Sequence, residues 1–159
     1  MMGLRRSAAC SVLVLALTAW LATAFAEVGP RQTLAANLAA GKPTVLIVSR
    51  TPTRADLRSE AYADWASYLN DFAEEHRRDF QFVKIKPAEL KAIFAEHTPI
   101  KEPFATVFFR NAQTAVYYDG MIHDRSTYGA AASFLSGSET VPPGLSPALK
   151  SFRFRLPRS

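Results

Sequence analysis

Cysteine is almost missing from this 159-residue chain: the single one, Cys10, stands near the start. One cysteine cannot close a disulfide within the chain. Thiol–disulfide exchange needs an attacking thiolate and a second, resolving thiol, so that chemistry is excluded as well. Histidine is scarce too. His76, His97 and His123 lie far apart, and none falls in a metal-ligand spacing. Asp119, His123 and Asp124 bring imidazole and carboxylate close in sequence, but next to Gly120 they read as a polar turn. With only 7 glycines there is no Gly-rich phosphate loop, and no Gly-x-Ser-x-Gly nucleophile turn occurs. Neither a metal nor a cofactor is expected.

Long apolar runs are absent except for Val12 to Leu21, which is short for a membrane span of roughly twenty residues. Arg5-Arg6 precede that run and Ala24-Phe25-Ala26 follow it, the pattern of a secretory signal peptide over residues 1–26. The residues that the twin-arginine route needs after its arginines are missing. Cys10 precedes the apolar core, so a lipoprotein site is discounted as well. Cleavage after Ala26 is expected to leave Glu27–Ser159 in the periplasm or outside the cell. That product carries +3, from 17 basic and 14 acidic residues, and has no cysteine. A thiol-dependent peroxidase is thereby excluded, although disulfides form freely in that compartment. The length suits one domain with its own core.

What is present has a clear order. Thr33–Ala40 is alanine-rich and helix-favouring, with Gly41 placed to end it. Thr44–Val48 is apolar on both faces, as a central strand is. A long helix is expected from near Asp56 to about Arg78, capped by Thr53 or Asp56, with Leu57, Ala61, Trp65, Tyr68 and Phe72 on one stripe. Phe80–Lys86 reads as a strand, and Pro87 opens a short helix with Leu90, Ile93, Phe94 and His97 on one face. Pro103 then begins an apolar run to Phe109, Asn111-Ala112-Gln113 turns the chain, and Thr114–Asp119 returns it. Asp124 or Ser126 can cap a last helix. Residues 137–159 read as an irregular tail, proline-bearing and basic at Lys150, Arg153, Arg155 and Arg158. The aromatics, Trp65, Tyr62, Tyr68, Tyr117 and Tyr118, fall on helical or strand periods and read as packing. No specific nucleic-acid contact is expected.

Three features carry a resemblance: the Gly41-Lys42-Pro43 lead-in, the proline-led strand ending Phe108-Phe109-Arg110-Asn111, and the Tyr118-Asp119-Gly120 exit. Together they resemble an exported thioredoxin-like domain over about Thr33 to Ser136, within a domain set at 27–136. The resemblance implies an α/β fold: a three-layer α/β/α sandwich around a mixed four-stranded sheet. It places Arg54-Ala55-Asp56-Leu57 where the family carries Cys-x-x-Cys, and Val48 near the family's buried acid. It also implies a cis bond between Glu102 and Pro103, beside a groove that accepts an extended peptide.

The expectation is a redox-inactive interaction module of the cell envelope. It would hold a protein or extended peptide through Arg50, Thr51, Arg54, Asp56, Glu102 and Pro103. Two alternatives stand beside it. One is a thiol-independent enzyme on the same scaffold, using Asp56, Glu102 or His123. The other is a peripheral protein whose basic tail touches anionic membrane.

Overall fold

The computed structural model describes residues 29–94, 98–138 and 140–148. Helix α1 spans Pro30–Ala39, and Pro30, at its first position, has its backbone angle preset for a helix. Gly41 ends α1 at φ 68°. Its N–H donates to Leu38 (3.1 Å) while that of Lys42 donates to Asn37 (2.9 Å). Two carbonyls that the helix leaves free are thus satisfied, in a conformation that costs glycine nothing.

Strand β1, Thr44–Ser49, lies between its two partners. It runs parallel to β2, Gln81–Ile85, with Thr44 opposite Gln81 and Val48 opposite Ile85. It runs antiparallel to β3, Phe104–Phe109, with Ser49 opposite Phe104. A hairpin joins β3 to β4, Ala115–Asp119. The sheet has five strands in the order β2-β1-β3-β4-β5, one more than the four expected.

The extra strand, β5 (Ser146–Pro147), comes from the segment read as an irregular tail. Its register is fixed just before it: Leu145 is buried, and its N–H closes a turn onto Pro142 (3.2 Å) with Gly144 at φ 80°. A positive φ at that turn position favours glycine. Val116 then pairs with Pro147, and Ala148 donates to Ala115 (2.8 Å). Proline on an outer strand also blunts that edge against further pairing.

Helices cover both faces of the sheet. On one face Leu46, Val48, Val83, Val107 and Phe109 pack with Leu34 and Leu38 of α1, and with Leu90 and Ile93 of the short helix α3, Leu90–Ile93. On the other, Val45, Phe108 and Val116 pack with Phe72 of α2, Glu60–His76, and with Tyr128, Ala131, Phe134 and Leu135 of α4, Arg125–Leu135. Neighbours along β1 and β3 divide between the two clusters, hence the unbroken apolar runs. His97 and the basic tail beyond Ala148 lie outside the described residues.

The long helix starts later than its periodicity suggested. Residues Asp56–Arg58 form a separate 3₁₀ turn, Ser59 is extended, and the Ser59 hydroxyl accepts the N–H of Tyr62 at the start of α2 (3.4 Å). Trp65 and Phe72 are buried as expected, but Ala61 is exposed and Leu57 is 64% exposed. The cause is Asp56. Its carboxylate serves Arg50 and Thr53, which holds the first turn away from the body.

Candidate functional site

Three loops meet beyond the carboxyl ends of the parallel strands β1 and β2, the end of an open α/β sheet where ligands usually bind. Arg50 joins two of them. Its N–H donates to the Pro103 carbonyl (3.1 Å), extending the β1–β3 ladder by one step. Its guanidinium lies over the Phe104 ring, 5.0 Å from the centroid, and grips Asp56 through two bonds of 2.5 and 3.1 Å. Phe104 packs in turn on Trp65 (5.1 Å) and Tyr62 (5.5 Å).

Asp56 also accepts the Thr53 N–H (2.7 Å) and hydroxyl (2.8 Å). The Arg50 hydrogen bonds, followed by the Thr53 N–H, hold its carboxyl down at about 2. A carboxylate that is always ionised and fully engaged is poorly suited to carry protons at neutral pH. Asp56 is therefore an anchor for Arg50.

Asp119 fixes the third loop. Its carboxylate accepts the N–H of Lys101 (3.0 Å) and that of Glu102 (2.9 Å). The Glu102–Pro103 bond is trans, since the described residues contain no cis peptide. The cis form expected from the resemblance is thus corrected. Trans is the ordinary state of such bonds, and here Asp119 and the Arg50–Pro103 bond shape the loop. The grouping of Asp119, His123 and Asp124 is not a shared site. Asp119 holds the loop, while Asp124 caps α4 through the Thr127 N–H (2.7 Å) and hydroxyl (2.8 Å) and the Ser126 hydroxyl (2.6 Å). Those bonds, the Ser126 hydroxyl first, lower the Asp124 pKa. Among the described residues no three His, Cys, Asp or Glu side chains gather as metal ligands would.

Two adjoining clefts, of about 550 and 630 Å³, open between these loops and share Arg50, Thr51 and Lys86. Glu102 and Pro103 line the larger one, so four of the six expected residues come together. Asp56 lies behind Arg50. Arg54 stands exposed on its turn, lines neither cleft and has no partner among the described residues.

Sequence reasoning missed the residues that give the clefts their character: Lys84, Lys86, Lys91 and Lys101, all exposed and none paired with a carboxylate among the described residues. Pro87, Ala88 and Pro103 add apolar surface, with the buried Leu90 and Ile100 beneath. Lys84 stands on β2, Lys91 on α3, and Lys86 and Lys101 on loops, so no single period groups them, and only the sheet order brings these four to one end. No protein-family model, curated protein or solved structure matches this chain.

Proposed function

We propose that this chain is a thioredoxin-like scaffold without thiol chemistry, and that it binds a segment of another protein of the cell envelope in the cleft between the Arg50–Thr51, Lys86–Pro87 and Glu102–Pro103 loops. A parallel pair, β1 and β2, with α2 between them in sequence, is followed by the β3–β4 hairpin and then α4. That is the crossover half and hairpin half which the resemblance implies. The observation that carries the reading is the bond from the Arg50 N–H to the Pro103 carbonyl. It sets the proline loop against the segment leading into α2, in a chain with no cysteine after residue 10.

Binding would proceed through side chains. An added strand needs free backbone donors, and the N–H groups of Lys101 and Glu102 are already given to Asp119. The envelope setting rests on the leader-like segment at residues 1–26.

Photo-crosslinking amino acids placed in the living cell at Thr51 and Lys101, and as controls at Gln113 and Ser138 on the far end, test this reading. Adducts with the same protein from both cleft positions, and none from the controls, are expected. Adducts spread equally over the four positions, or none at all, would end it.

A further inference from the structure

We infer that the occupant of this cleft is an acidic, extended segment of the partner protein, with alternating acidic and apolar side chains; the inference rests on the binding reading above. Charge is the first reason. Of the cations around the clefts only Arg50 is neutralised, by Asp56. The four lysines still outnumber the other carboxylates beside them, which are Glu89 and Glu102 in the lining and Asp119 behind the Lys101–Glu102 backbone. Shape is the second. Pro52, Pro87, Ala88 and Pro103 offer apolar surface between the lysines, over a floor of Ile85, Leu90 and Ile100 that is itself almost wholly buried. An extended segment turns alternate side chains to opposite sides, so one set can meet apolar surface while the other meets lysine.

Two other polyanionic partners fit less well. Single-stranded nucleic acid binds by stacking bases on exposed aromatic faces. No aromatic residue lines either cleft, and Trp65 and Phe104 are buried beside Tyr62. A lipid surface takes up protruding apolar side chains along with its anionic contacts. The large apolar residues exposed among the described residues are Leu57 and Val141, and neither borders the clefts.

The test is a titration of the purified protein, by anisotropy of labelled probes at low salt. The probes are a decapeptide alternating glutamate with leucine or valine, its glutamine counterpart, a ten-residue oligothymidylate and phosphatidylglycerol vesicles. The acidic peptide should bind at least tenfold tighter than the glutamine one. The difference should shrink as the screening length falls below about 10 Å, near 0.1 M salt. Charge reversal at Lys86→Glu with Lys101→Glu should weaken it by roughly thirtyfold, Lys86→Arg with Lys101→Arg should restore it, and Arg77→Glu with Arg78→Glu at the far end should change it little. Circular dichroism confirms that each variant is folded.

Equal binding of the two peptides, or an equal loss from the far-end reversal, would overturn the inference. So would tighter binding of the oligonucleotide or vesicles that the cleft reversal abolishes. If neither peptide binds while the crosslinks from Thr51 and Lys101 persist, the cleft reading survives and the acidic occupant is refuted.

Discussion

Removing the Asp119 carboxylate should loosen the proline loop while leaving the sheet intact. Asp119 is the last residue of β4 and pairs through its backbone with Ala105, so Asp119→Ala keeps the ladder and deletes only the acceptor for Lys101 and Glu102. Bonds from an N–H to a charged acceptor are among the stronger ones. These two are solvent-exposed, however, and water can replace the carboxylate, so the combined loss is about 1–2 kcal/mol. At about 1.4 kcal/mol per factor of ten, amide hydrogen exchange at Lys101 and Glu102 should rise roughly five- to thirtyfold. Amides of β1 should change far less. Asp119→Asn keeps one neutral acceptor and should fall between. The assay is residue-resolved hydrogen exchange by NMR, with urea unfolding alongside. Unchanged exchange at both amides, or a loss spread evenly over the sheet, would refute the assignment of Asp119 as the clamp of this loop.

Acid should act through Asp56. Its pKa lies near 2 in the folded protein against an ordinary 3.8, so its contribution to stability is complete above about pH 4 and disappears as pH falls through 2. A carboxyl titration by NMR checks this: Arg50→Gln should move Asp56 back toward 4, and wild-type titration already near 4 would count against the ion pair. Leu57→Ser should change stability by less than about 0.5 kcal/mol, because Leu57 is 64% exposed; a loss above 1 kcal/mol in urea unfolding would return it to the core. Phe108→Ala, at a side chain with 0% exposure on the central face, should cost about 3–5 kcal/mol, and a cost below 1 kcal/mol would contradict the packing. Gly41→Ala must place a side chain at φ 68° and should cost about 1 kcal/mol, which thermal unfolding would show.

The strands were legible because their apolar runs are long and bounded by Pro43, Asn111 and Gly120. The helix end at Gly41 and the cap at Asp124 were legible because each is a local event within a few residues. The start of α2 was not. Helical periodicity carried the stripe back to Leu57, while the contact that breaks the helix there joins Asp56 to Arg50, six residues upstream. β5 was hidden as well, since a two-residue strand containing proline has no strand propensity to read. At the site, the loops around Arg50 and Pro103 were found through the pattern of strand and proline. Asp119 and the lysines were missed because their roles depend on residues 17 or 18 positions away, or on the order of strands in the sheet.

Hydrogen exchange of the whole chain, with and without the partner captured by the crosslinks, puts the central claim to its most direct test. Slower exchange should be confined to residues 49–52, 84–91 and 98–103, the segments bordering the clefts. Protection centred instead on the exposed sides of α2 and α4, or along β5, would contradict the claim that the partner is held at the carboxyl ends of β1 and β2.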